Sequence, residues 1–265
     1  MPTMRCNGAR LYYEDRGEGR PVVFLHGAWA GLRYFDAQLG ALADEYRTVA
    51  LDFRGHGRSE VTADGYTLPQ YARDVEAFCE ALALEDVVLV GWSLGALVTW
   101  EYVERFGTDR LAGLVDVDME AAPGFDDGEG ATYDPERLLA IHEAIQRDHL
   151  AFVERAFGDL FATPPSEDVR RRLFDEESRC PPLVKSAIVL DATLRDYRET
   201  LRGVDVPMLV CAGADETWRT VASVERVAAL VPDSRFELFA GSGHCLTVEE
   251  PERFTAVLRA FAATL

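Results

Sequence analysis

Lysine is nearly missing from this chain of 265 residues: Lys185 stands alone among 27 basic side chains, which face 46 acidic ones. The balance is 27 − 46 = −19 at neutral pH. A surface this acidic repels phosphate backbones and anionic lipid, which argues against nucleic acid or a membrane surface as a partner. Long apolar runs are missing as well. The longest uncharged stretch, Val87 to Trp100, has 14 residues, two of them glycine. A membrane-spanning helix needs about 20 apolar residues. The first residues, Met1 to Gly8, lack the apolar core of a secretion signal. Paired cysteines are absent: Cys6, Cys79, Cys180, Cys211 and Cys245 are an odd, scattered set with no C-x-x-C. That pattern predicts reduced thiols in a cytoplasmic protein, not a disulfide frame or a zinc site. Neither G-x-G-x-x-G nor G-x-x-x-x-G-K occurs, so no dinucleotide or phosphate-loop cofactor is expected, and without a metal-ligand cluster no metal is expected either.

What remains is an ordinary globular composition, 48% apolar and 10% aromatic, patterned as alternating strands and helices. Leu11–Tyr13, Val22–Leu25, Thr48–Leu51, Val87–Val90, Leu114–Val117, Met208–Cys211 and Phe236–Phe239 read as strands. Val87–Val90 shows no polar alternation, as expected for a strand buried on both faces of a parallel sheet. Helices are predicted over 32–44, 68–84, 94–106, 221–230 and 249–263. The second opens on Thr67-Leu68-Pro69-Gln70, a capping-box pattern. Repeated strand–helix units of this length predict an α/β fold, a mostly parallel sheet with helices on both faces. The series breaks at 119–202. That segment opens on a glycine- and acid-rich loop, Gly124 to Gly130, which disfavours anionic substrates if it lies beside a binding site. Helical spacing of Leu138, Ile141, Ile145, Phe152 and Phe157 follows. The expected organisation is therefore a core of 1–118 and 203–265 carrying an inserted helical cap, 119–202. Asp116 stands in an apolar strand, and the sequence names no partner for it.

The chemistry concentrates at Gly91-Trp92-Ser93-Leu94-Gly95, a G-x-S-x-G placed directly after a buried strand and before a helix. In that context the chain turns sharply, lifts the serine hydroxyl above the sheet and aims a helix N-terminus at the oxygen that becomes negative during reaction. A hydroxyl is a poor nucleophile until a base takes its proton. Of five histidines, only His244 follows the last strand, in Gly241-Ser242-Gly243-His244. His26 and His56, each before a glycine, read as turn-builders; His142 and His149 fall on helices of the insertion.

Val22 to Ala28, Asp52 to Ser59, the serine turn and His244 together resemble the α/β-hydrolase superfamily, nearest to its bacterial serine esterase and cofactor-free haloperoxidase branch. The resemblance implies the backbone N–H groups of Ala28 and Leu94 as an oxyanion hole, with Trp29 and Trp92 walling the substrate pocket. The family's acid follows the strand Met208–Cys211, commonly three residues past a glycine. Here Gly213-Ala214-Asp215-Glu216 offers aspartate at two and glutamate at three. Asp215 is the first choice, Glu216 the second, and Asp118, at the end of the preceding strand, the third. The implied activity is cleavage of a small-molecule carboxylic ester or lactone through an acyl-enzyme. Relatives with dehalogenase or epoxide-hydrolase activity need aspartate where Ser93 stands. Haloperoxidase or perhydrolase, C–C hydrolase or lyase, and a catalytically silent small-ligand receptor keep the same residues and stay open. Trp29, where peroxide-using relatives carry proline, counts against the first of these.

Overall fold

The computed structural model describes residues 2–126 and 131–265. Eight strands form one sheet: β1 (Thr3–Cys6), β2 (Ala9–Arg16), β3 (Pro21–Leu25), β4 (Arg47–Leu51), β5 (Val87–Trp92), β6 (Leu111–Val117), β7 (Met208–Gly213) and β8 (Ser234–Phe239), in the order β1-β2-β4-β3-β5-β6-β7-β8. The first two strands pair antiparallel; every pair from β4 to β8 is parallel. The helices are α1 (Asp36–Ala41), α2 (Leu68–Ala81), α3 (Leu94–Phe106), α4 (Pro135–Arg147), α5 (His149–Gly158), α6 (Glu167–Arg179), α7 (Pro182–Thr193), α8 (Arg198–Arg202), α9 (Val221–Leu230), α10 (Leu246–Glu249) and α11 (Pro251–Ala262). Among the described residues, none is long and apolar enough to cross a membrane.

The strand side chains alternate between two cores, which is why the central runs lack polar residues. Val23, Leu25, Val87 and Leu89 face one core with α2 and α3; Val22, Phe24, Val88 and Val90 face the other with α1 and α11. Thr67 caps α2 by accepting from the Gln70 N–H at 3.4 Å, but the Gln70 amide turns to Asp74 at 2.9 Å. Only half of the expected capping box forms. The predicted helix over 32–44 is a 3₁₀ turn, Leu32–Phe35, followed by the short α1. Between β6 and β7 the described residues form helices α4 to α8 and no strand. The acidic loop's residues 127–130 lie outside the described ones. Asp116 is fully buried in β6; burial first, and then the charge of Asp118, push its carboxyl well above the usual range and favour its neutral form.

Candidate active site

Five adjacent parallel strands deliver the candidate residues in a row at their carboxyl ends. In sheet order, Ala28 follows β3, Ser93 follows β5, Asp118 follows β6, Glu216 follows β7 and His244 follows β8. This is where an open α/β sheet binds its ligands.

Ser93 sits at φ 54° and ψ −117°, a left-handed conformation that costs a residue with a side chain about 1–3 kcal/mol. The surroundings over-determine it. Its N–H is fixed to Val117 O at 2.9 Å. A Cβ at Gly95 would lie 2.0 Å from Leu25 O, and one at Gly91 would lie 2.5 Å from the Ala96 nitrogen. Both glycines of the motif are therefore required for the turn to close. Among the described residues, neither the Ala28 N–H nor the Leu94 N–H is taken up by another group. Both residues border the space around Ser93.

A cavity of about 400 Å³ opens on Ser93 and His244. Ala28, Trp29 and Trp92 line it from the sheet side; Ile141, Ala144, Phe152, Glu177 and Val189 line it from the helices, with Leu160 from the turn after α5. Of the five apolar positions at helical spacing in the insertion, Ile145 and Phe157 are buried in packing, Leu138 borders an outer groove, and Ile141 and Phe152 reach the cavity. Trp92 is anchored twice: its Nε1 donates to His244 O at 2.8 Å, and its ring stacks on Tyr34 at 4.6 Å. Trp29 donates to Lys185 O at 3.3 Å and packs edge-on to Phe152 at 5.2 Å.

His244 is 1% exposed, and its Nδ1 lies 2.7 Å from both Asp118 Oδ2 and Glu216 Oε2. Arg219 Nη1 also lies 3.0 Å from Nδ1; in the neutral imidazole, an Nδ1–H directed at the two carboxylates leaves Nε2 able to accept a proton. Asp215, the first choice on spacing, is exposed instead. Its backbone N–H is tied to Ser242 O at 3.0 Å, and the next residue, Glu216, turns inward and fastens its Oε1 to the Trp218 N–H at 2.7 Å. Asp118 takes φ 58°, tied by its N–H to Cys211 O at 2.8 Å and by Oδ1 to the Gly213 N–H at 3.2 Å.

Arg219 completes the cluster. Its Nη1 donates to Asp118 O at 2.7 Å and to Glu216 Oε2 at 3.2 Å, and its Nε reaches Glu120 at 3.5 Å. Burial, then the negative charge of Glu216, raise the Asp118 carboxyl to about 7, against the pull of His244. Glu216 goes the other way: burial raises it, but the charges of His244 and Arg219 prevail and hold it well below the usual range. Burial works against the His244 cation, yet Glu216 and Asp118 outweigh it and raise the imidazole above its ordinary value. Asp118, Glu216 and His244 each offer one ligand atom, all within 4.8 Å of one another. The Arg219 guanidinium already stands at that point, so the chain supplies the positive charge itself.

His26 and His56 are buried in turns. His26 Nδ1 donates to Gly27 O at 2.8 Å while Nε2 accepts from the Phe53 N–H at 3.0 Å; His56 Nδ1 bonds Arg54 O at 3.1 Å. His142 and His149 lie on α4 and α5 and do not line the cavity. Arg219 and Glu177 were not foreseen from the sequence. An arginine three residues past a carboxylate was the one available signal for Arg219. Glu177, in the run Asp175-Glu176-Glu177, carried none.

Comparison with known proteins agrees over the full length of the chain. The profile of the alpha/beta hydrolase family matches residues 22–257. A non-heme haloperoxidase from Rhodococcus erythropolis is 30% identical, covering 98% of this chain and 99% of its own. An esterase from Exiguobacterium antarcticum superposes with a TM-score of 0.94 at 25% identity, covering 98% of each chain. A bromoperoxidase from Bacillus anthracis superposes at 0.89 with 28% identity, covering 96% of this chain and 95% of that one. The chain belongs to the alpha/beta hydrolase family.

Proposed function

We propose that this hydrolase cleaves a small-molecule carboxylic ester or lactone through an acyl-enzyme on Ser93. One observation carries the reading: a serine on a strained turn and a histidine with its Nδ1 proton held by carboxylates open onto the same cavity. Ser93 Oγ attacks the carbonyl carbon while His244 Nε2 takes its proton. The carbonyl oxygen becomes an oxyanion and accepts from the N–H groups of Ala28 and Leu94, a donor pair in which each member is typically worth about 10²–10³ in rate. Collapse expels the alkoxide, which receives the proton from His244. Water then attacks the acyl group by the same route and frees Ser93. Asp118 and Glu216 act together as the acid, orienting the imidazole and stabilising its cation. Asp215 has no part in it. Residues 119–202 serve as the cap, with Ile141 and Phe152 setting which acyl or alcohol group fits beside Trp29 and Trp92.

The test is turnover of a short activated ester. Ser93→Ala should fold normally and lose about 10⁴-fold or more, because nucleophile and base act as one unit. Near-wild-type hydrolysis by that variant refutes the reading. A second reading rests on the haloperoxidase relative: hydrogen peroxide in place of water would attack the same acyl-enzyme and release a peracid. Peroxide-dependent turnover faster than hydrolysis of the same ester would favour it.

A further inference from the structure

The cavity wall contains a buried carboxylate that the chemistry at Ser93 does not use. Helix α6 buries two consecutive glutamates in different surroundings. Glu176 packs against Gly31 and the Arg33 N–H, beside Asp52. Glu177, 2% exposed, lines the catalytic cavity. Its Oε1 accepts from the Tyr34 hydroxyl, and the Tyr34 ring stacks on Trp92, the neighbour of Ser93. The obvious counter-ion is spent elsewhere: Lys185 Nζ donates to two backbone carbonyls, Glu177 O at 2.7 Å and Cys180 O at 2.5 Å. Among the described residues, Glu177 Oε2 receives no hydrogen bond. The residue borders the cavity, so an incoming donor can reach this oxygen.

We infer that Glu177 is a specificity residue for the cationic head of the substrate, an ester whose acyl or alcohol arm ends in a primary ammonium group. This rests on the proposed ester cleavage at Ser93. Three features favour an ammonium over a neutral donor. A charge-assisted hydrogen bond to a carboxylate is roughly twice as strong as a neutral one. Trp29 and Phe152, half-buried rings on the same wall, bring aromatic surface to the cavity. The net charge of −19 draws cations toward the molecule. The wall's own cations, Arg137 and Arg155, are exposed side chains, so they do not fill the buried position. Burial raises the Glu177 carboxyl to about 7, partly offset by the Tyr34 hydrogen bond and the nearby Lys185 charge. A docked ammonium would add to that offset.

The test compares two acetates of equal length, 5-aminopentyl acetate and hexyl acetate, by acetate release. The wild type should favour the amino ester in kcat/KM by about tenfold or more, the weight of one charge-assisted hydrogen bond. Glu177→Gln keeps an acceptor for Tyr34 but removes the charge, and should collapse that preference to about twofold or less. A merely structural role for Glu177 would leave the ratio where it was. A wild type preferring the hexyl ester, or an unchanged ratio in E177Q, overturns the inference. Calorimetric binding of hexylammonium and of hexanol to the wild type separates it from the ester reading. Tighter hexylammonium binding supports the subsite even if neither acetate is cleaved, and equal or weaker binding refutes it even if both are.

Discussion

Ser93 and Asp118 on the sheet side of the cavity are pinned at positive φ by hydrogen bonds that continue the strand ladder. Ile141 and Phe152 on the helix side sit at φ/ψ values ordinary for helices, and their side chains make only apolar contacts, Phe152 edge-on to Trp29. The two sides therefore differ in what a substitution can do. Sheet-side positions are over-determined, so a change there removes chemistry or stability. Helix-side positions border open space: Ile141 and Phe152 are only half-buried, and both line the cavity. A change there should alter which molecule fits.

The strongest way to break this contrast is at the base. His244→Ala should lower ester turnover about 10⁴-fold, while His142→Ala and His149→Ala on the helix side leave it within a few-fold. Loss of activity in either control with His244→Ala spared would reverse the assignment.

The paired acids give an intermediate effect. With two carboxylates on one N–H, Asp118→Asn or Glu216→Gln alone should cost about tenfold, whereas the double variant should lose about 10³-fold or more, as removal of a lone triad acid does. The pH profile sharpens this. The base works only when deprotonated, so kcat/KM rises with pH through the imidazole's pKa. Glu216 and Asp118 raise that pKa above 6.5. The wild-type midpoint should therefore lie above 6.5, and Glu216→Gln, which removes a negative neighbour, should move it down. A midpoint that stays put, or single and double variants alike, would show that only one carboxylate matters.

The smallest effect is a double dissociation between the sides. Leu89→Ala, in the centre of β5, should cost about 2–5 kcal/mol of stability and leave the preference among ester chain lengths unchanged. Phe152→Ala should do the opposite, shifting preference by about 1–3 kcal/mol per contact, roughly 10–200-fold. Melting curves and kcat/KM over a series of acyl lengths measure both.

The same contrast explains what could be read from the sequence. Strands buried on both faces announce themselves as uninterrupted apolar runs, and the serine turn is local, with its glycines within two residues of Ser93. The edge strand β1, Thr3-Met4-Arg5-Cys6, has two exposed residues and mixed polarity, so nothing marks it. Helix α6 is mostly charged, with only Val169, Leu173 and Phe174 apolar, and α7 spreads its apolar residues around the helix without one stripe. The order of the three acids, Asp215 before Glu216 and Asp118, differs from the geometry around His244 for another reason. Spacing along the chain distinguishes Asp215 from Glu216 by one residue, but which of them turns inward depends on the loop's bonds to Ser242 and Trp218. Asp118 reaches His244 from 126 residues away, a meeting set by strand order.

Covalent trapping tests the central claim most directly: that the sheet side supplies one activated nucleophile. After brief exposure to a fluorophosphonate at pH 8, peptide mass spectrometry should find a single adduct, on Ser93, and His244→Ala should slow its formation by about 10³-fold or more. An adduct on any other side chain, or Ser93 labelled as fast without His244, would contradict the account.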